Sequence, residues 1–300
     1  MRKTWFIHIA ILFSLVLCNL LTSAIQKLDE QRGTPTIASQ ETTRPTAIPK
    51  TDEKRDTPTV ASQETSQPTA TAPQDMIWRL LEQVNKDRAL ADLRQLTGEA
   101  PLCTVRGCHT ITDRRTGSEG LYWTKDYIYQ QLASLGYSLV LRDWTRAGYA
   151  DQNLIARKPG VSLPEEEIYF VAHIDGVKTP DEDRFPAADD NASGAVDCLE
   201  VARVLSSYSF DRTIVFLFST GEEEGTLGVQ SYLSQLSQKE LDAIKYVIDI
   251  DMVGYDANND GVMQLWHADH PPSLALAQRM QETIQAYQLN LVPQLTAGCG

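Results

Sequence analysis

Beyond residue 75 the apolar positions of this chain fall into two periods. Ile77, Leu80, Leu81 and Val84 recur at the spacing of one helix face, and so do Tyr127, Ile128, Leu132 and Leu135, whose pattern stops at Gly136. Short continuous apolar runs follow at 138–141, 153–156, 168–172, 214–218 and 246–250, and helical patterns lie near 193–205 and 227–236. Runs that are apolar throughout, instead of alternating, belong to strands covered on both faces. The pattern therefore predicts an α/β domain with a mostly parallel central sheet and helices on both faces. In such sheets ligands gather at the carboxyl ends of the strands.

Before residue 76 the pattern is different. Arg2 and Lys3 precede an apolar run from Trp5 to Leu21, broken only by His8, Ser14 and Asn19, and then Thr22-Ser23-Ala24. These are the basic, apolar and small-residue zones of a secretory signal, so 1–25 is read as a cleaved signal peptide or, alternatively, a retained membrane anchor. The run is 17 residues long, short of the roughly 20 that span a bilayer. A large Leu17 before Cys18 argues against a lipid-modified start. Residues 26–75 are rich in Thr, Pro, Ser and Gln and carry almost no large apolar side chain, so they cannot bury enough surface to offset folding entropy. Within this linker, 34–42 (TPTIASQET) recurs as 57–65 (TPTVASQET), a duplicated spacer without an apolar face. The folded domain is expected over 76–300.

Charge narrows the function. Residues 1–75 are net neutral, so the formal charge of -13 lies wholly in 76–300, which hold 19 basic against 32 acidic side chains. Nucleic acid is excluded as a partner, because phosphate binding relies on clustered Lys and Arg. A small substrate or a metal cation fits better. Export implies an oxidising compartment and an extracytoplasmic location, secreted or anchored. There Cys103 and Cys108 close a small loop as a disulfide or remain two thiols. Cys198 falls on the apolar face of a predicted helix, and Cys299 has no evident partner in this chain.

Four clusters carry the candidate chemistry: His173-Ile174-Asp175, Ala188-Asp189-Asp190-Asn191-Ala192-Ser193-Gly194, Gly221-Glu222-Glu223-Glu224-Gly225 and Asp249-Ile250-Asp251. Alone, each is an ordinary solvated loop. Together they set one imidazole and several carboxylates at the ends of apolar strands and at the start of a helix. Carboxylates crowded in this way repel one another unless a cation neutralises them, which makes a divalent ion the economical explanation. Mixed imidazole and carboxylate ligation suits Zn²⁺. Water on such an ion falls from a pKa of 15.7 to about 7, and a carboxylate that is not a ligand can take its proton.

These motifs resemble the co-catalytic di-zinc exopeptidases, the family of bacterial leucyl aminopeptidases, aminopeptidase Y and glutamate carboxypeptidases. The resemblance runs from about Leu93 to Gly300 and includes Asp251-Met252-Val253-Gly254-Tyr255. It implies the zinc-exopeptidase (phosphorylase/hydrolase-like) fold, two Zn²⁺ per complete site and removal of N-terminal residues from peptides. By the same resemblance His173 and Asp251 hold one zinc, Glu223 holds the other and Asp190 bridges them. Glu222 is the general base, Asp175 orients His173, and the Asp189–Asp190 peptide is cis.

One departure bears on completeness. The family's second zinc takes a final histidine late in the domain, and nothing of that kind follows Asp251. His267 and His270 come too early and read as surface loop, so the domain is expected to be C-terminally truncated, with its last ligand beyond Gly300. Two other readings compete: a single-zinc glutaminyl cyclase, against which the joint presence of His173 and Asp251 argues, and a non-catalytic peptidase-like binding module, which usually lacks ligands or base. Weaker signals add little. Residues 256–261 begin like a calcium loop but have His267 where a bidentate Glu belongs, so a polar turn is expected. Asn191-Ala192-Ser193 fits a glycosylation sequon but lies inside the metal cluster. No Gly-x-Ser-x-Gly elbow or phosphate loop appears.

Overall fold

The computed structural model describes residues 73–177 and 185–298. The signal or anchor, the linker up to residue 72, and Cys18 and Cys299 lie outside the described residues. In chain order the elements are α1 (Pro73–Leu81), α2 (Lys86–Leu96), β1 (Leu102–Thr104), β2 (Gly107–His109), α3 (Glu119–Ser134), β3 (Ser138–Arg146), β4 (Tyr149–Lys158), β5 (Leu163–His173), a π-type turn (Ala188–Ser193), α4 (Gly194–Leu205), β6 (Arg212–Ser219), α5 (Leu227–Gln235), α6 (Gln238–Ala243), β7 (Ile244–Asp249), β8 (Val262–His267), α7 (Pro271–Ala286) and β9 (Val292–Ala297). Among these residues no helix is long and apolar enough to cross a membrane.

The central sheet has five strands in the order β3-β4-β6-β5-β7. It is mixed, not mostly parallel: β3–β4 and β4–β6 are antiparallel, while β6–β5 and β5–β7 are parallel. The difference lies in a hairpin that the apolar runs did not disclose. Ala147 and Gly148 both take positive φ, 51° and 86°, which is the two-residue turn whose twist matches that of its flanking strands. The turn carries β3 and β4 past their apolar segments into polar sequence, through Arg142, Asp143 and Thr145 on one side and Asp151 and Gln152 on the other.

Helices do cover both faces. Along β5 and β6 successive side chains alternate between two cores, as the period of two in a strand requires. Phe170, Ala172, Ile214, Phe216 and Phe218 pack with α2, α3 and α4 on one face, while Tyr169, Val171, Val215 and Leu217 pack with Val229 and Tyr232 of α5 on the other. Within the first core Phe216 stacks on Phe170 at 5.3 Å between ring centroids and meets Tyr137 edge-on. Polar ties lock the helices beneath the site: Glu200 of α4 accepts from Arg88 Nε and Asn85 N, and Arg203 pairs with Asp92 of α2. Cys198 of α4 is buried in the same core.

Two smaller units complete the described chain. Cys103 and Cys108 face each other across β1 and β2 and form the disulfide. β8, α7 and β9 make a parallel two-stranded unit around Met263, Leu265, Ala277 and Ile284. His267 closes β8 and is buried, with Nδ1 3.0 Å from Ala268 O. The expectation of a surface loop fails there because Met263, Leu265 and His267 are alternate residues of one strand, and alternate residues share a face. The turn at 256–261 is polar as expected, since Asp256 spends both carboxylate oxygens on the amides of Asp260 and Gly261.

Candidate metal centre

Three parallel strands bring the site together by main-chain register. His173 is the last residue of β5 and lies opposite Ser219, the last of β6, while Val171 lies opposite Asp249, the last of β7. The ladder continues one residue further on each side: Ile174 N donates to Ser219 O at 2.9 Å, and Ile250 N donates to Val171 O at 2.8 Å. The loops carrying Asp175, Glu222 and Asp251 therefore all leave the sheet at the same carboxyl edge. Asp190 reaches that edge from the π-type turn preceding α4.

His173, Asp190 and Asp251 each offer a ligand atom within 4.8 Å of the others. Nε2 of His173 stands 3.2 Å from Asp190 Oδ1 and 3.5 Å from Asp251 Oδ1, and Nδ1 stands 3.6 Å from Asp175 Oδ1. The ring is 3 % exposed, yet among the described residues neither nitrogen makes a hydrogen bond of acceptable geometry, and the facing oxygens of Asp175 and Asp251 are also without one. Buried polar atoms left unpaired are costly. A divalent cation on Nε2 and the two carboxylates relieves that cost, so the donor set fits a metal ion.

Asp175 Oδ2 accepts from Glu223 N at 3.1 Å, which fixes the start of the glutamate run against the loop that follows β5. Glu223 Oε1 in turn accepts from Val177 N at 2.9 Å. Thus Glu223 stands outside the three-residue group. It shares with Asp190 the wall of a cleft of about 450 Å³ whose other sides are Val177, Phe185, Pro186, Ala187 and Ala188. Glu222 is half-buried, and its main-chain carbonyl accepts from the amides of Gly225 and Thr226, so the backbone of its turn is fixed independently of its side chain.

Burial shapes the electrostatics. It lifts the Glu223 carboxyl to about 7, with nearby Asp190 adding to the rise and His173 opposing it. It also raises Glu222. Burial alone disfavours a charged His173, but the close Asp175, Asp190 and Asp251 outweigh it and hold the imidazole well above its ordinary range. Asp190 lies below its usual range, chiefly through His173.

The residues between the ligands have work that the sequence did not reveal. Three successive amides after Asp251 are captured by alternate side chains of the π-type turn: Met252 N by Asn191 Oδ1, Val253 N by Ser193 Oγ and Gly254 N by Asp189 Oδ1, at 3.3, 3.0 and 2.7 Å. Asn191 Nδ2 also donates to Ile250 O at 2.9 Å. Gly194 is required by this contact, since a Cβ there would lie 2.2 Å from Ile250 O. Asn191 is fully buried, in line with the expectation that the Asn191-Ala192-Ser193 sequon lies inaccessible within the cluster. The cis peptide lies at Asp190–Asn191, one bond later than the resemblance implied.

Residues 153–297 match the family model described as Peptidase family M28. That segment is similar to peptidase family M28. The match bears out the resemblance to zinc exopeptidases and covers every predicted site residue of this chain. Among curated relatives, Aminopeptidase YwaD of Bacillus subtilis (strain 168) is 39% identical over 104 residues, 34% of this chain and 22% of the relative. A "Probable zinc metalloprotease" of Pyrenophora teres f. teres is 25% identical over 215 residues, 63% of this chain and 43% of the relative. The chain therefore spans under half the length of either. Of solved structures, BSAP, a zinc aminopeptidase from Bacillus subtilis, superposes with a TM-score of 0.56 at 14% identity, covering 71% of this chain and 84% of that one. A Macrostomum lignano glutaminyl cyclase superposes with a TM-score of 0.54 at 15% identity, covering 79% and 77%. At such identities the two structures bear on the fold alone.

Proposed function

We propose that this protein is a secreted or membrane-anchored zinc exopeptidase of the M28 type that releases N-terminal residues from peptides. One observation carries the reading: a buried imidazole nitrogen without a hydrogen-bond partner, facing two carboxylates at the shared edge of three strands. In this reading His173, Asp190 and Asp251 would hold one zinc ion, and Asp190 with Glu223 of the cleft wall would hold a second. Zinc supplies Lewis-acid polarisation of the scissile carbonyl and eases deprotonation of water. Asp175 orients His173 through Nδ1. Glu222 accepts the proton of the attacking water and returns it to the leaving amine, a task suited to a carboxyl whose pKa burial has raised. The net negative charge of residues 76–300 favours approach of the free α-ammonium group of the substrate.

The test is metal removal from the intact protein. Stripping with a chelator lowers hydrolysis of aminoacyl anilides by roughly a hundredfold or more, as several kcal/mol of charge stabilisation are withdrawn, and added zinc restores it. Two zinc ions per active protein are expected. The likeness to a glutaminyl cyclase fold makes a single-zinc cyclase the second reading. One zinc per protein together with cyclisation of N-terminal Gln peptides establishes that reading in place of the first.

Zinc affinity should also rise with pH. Ligation displaces protons from His173 and Glu223, both of which hold them more tightly than usual, Glu223 up to about 7 against an ordinary 4.5. Between pH 5.5 and 7.5 the dissociation constant, measured by chelator competition, is expected to tighten at least about tenfold. A flat profile would contradict the assignment. Without metal the sign reverses for Glu223. The folded chain holds that proton more tightly than the unfolded one, so its contribution to stability is present below the ordinary Glu range and is lost as the pH rises through about 7.

A further inference from the structure

Arg114 lies in the loop between β2 and α3, before the residues that match the family and outside every cluster marked by the sequence. Its side chain is 1% exposed. Each hydrogen bond that its guanidinium makes within the described residues ends on a main-chain carbonyl. Nε donates to Ile174 O at 3.0 Å, Nη1 to Leu96 O at 2.8 Å and Pro186 O at 2.7 Å, and Nη2 to Ala187 O at 2.8 Å. Those carbonyls belong to the end of α2, to the residue after His173 and to the run leading into Asp190.

The backbone around Arg114 repeats the pattern. Arg114 O accepts from Gly176 N at 3.2 Å, and Thr112 O accepts from Phe185 N at 2.8 Å. Two residues on, Thr116 Oγ1 donates to Glu224 Oε2 at 2.6 Å, which reaches the glutamate run. One loop thus touches all three segments that carry His173, Asp190 and Glu223. Burial lowers the guanidinium to about 10, opposed by Asp175, Asp190 and Glu223, so it stays charged at neutral pH. The planar fork spreads its donors over three nitrogens and so reaches four separated carbonyls at once, whereas a lysine has three donors on a single nitrogen.

We propose that Arg114, with the loop that carries it, braces the metal centre: it is a positioning residue that locks the His173 and Asp190 loops against α2 in the arrangement a cation needs. The inference rests on the metal-centre reading above, and its test separates the two. Arg114→Lys keeps the charge and loses the fork. In zinc-free protein this variant is expected to exchange amide hydrogens at 173–177 and 185–192 at least about tenfold faster, with β6 and α4 still protected. Its zinc dissociation constant weakens about tenfold, as for loss of outer-shell support.

Wild-type protein that takes up no zinc overturns the metal reading, while the exchange rates still judge the brace. Exchange in Arg114→Lys equal to wild type at both loops overturns the brace even if zinc binds normally. If Arg114→Lys does not fold, Thr116→Val decides, because it is nearly isosteric and removes only the Glu224 contact. It should weaken zinc about threefold, the size of one hydrogen bond. Unchanged zinc affinity in that variant overturns the brace.

Discussion

Replacing Glu222 by Gln in the intact protein lowers turnover of aminoacyl anilides by about a thousandfold, within the range for loss of a positioned acid or base, and leaves zinc content unchanged. The structure makes this variant clean. The turn at 222–226 is held by main-chain bonds that do not involve the side chain. The side chain itself stands among Asp175, Asp190 and Asp251, which, after burial, help to raise its pKa while His173 opposes them. A neutral isostere relieves this crowding, so the melting temperature of the metal-free variant at pH 8 should equal or exceed that of wild type. Lost activity together with lost zinc, or with a lower melting temperature, would make Glu222 a ligand or a structural residue. Near-normal turnover would remove it from the mechanism.

The second large effect falls on a residue that touches no proposed substrate. Asn191→Ala deletes the donor to Ile250 O and the acceptor of Gly194 N, both buried, and the more exposed bond from Met252 N. Two buried groups stranded at about 1–3 kcal/mol each give a loss near 3 kcal/mol, measurable by urea unfolding. Because the same contacts fix the chain on either side of Asp251, zinc affinity should fall by about tenfold or more. Asn191→Asp keeps the acceptor and loses the donor, so it should fall between. If Asn191→Ala unfolds within about 0.5 kcal/mol of wild type, as an ordinary surface change does, then this contact does not hold the Asp251 loop.

What could be read from the sequence followed the strength of each pattern. Strand β6 was visible because residues 213–218 are all buried and so all apolar or nearly so, and α4 because its apolar face is wide. The ligand clusters were visible because polar residues abruptly follow such runs. The hairpin of β3 and β4 was only half visible, since its far half is polar: Asp143 and Arg146 are exposed, and the Asp151 side chain is buried where it pairs with Lys125 of α3. The β8, α7 and β9 unit carried too few apolar positions per strand to stand out, and His267 was misplaced with it. Arg114 left no trace at all: an Arg-Arg pair in a polar stretch looks like a solvated surface, and its burial depends on four distant carbonyls. Asp189, Asn191 and Ser193 were in view as part of a motif, but only coordinates show that they hold amides.

The register of β5, β6 and β7 has a further consequence. The positions from which the ligand loops depart are set by amide-to-carbonyl pairing, including Ile174 to Ser219 and Ile250 to Val171, and such pairing is indifferent to which side chains are attached. The loops beyond can lengthen, shorten or change composition while their roots stay in place. The placement of the candidate metal-holding residues and the lining of the cleft are thereby separable in this architecture: strand ends fix the first, and the cleft walls, Val177 and Phe185 among them, can vary without moving them.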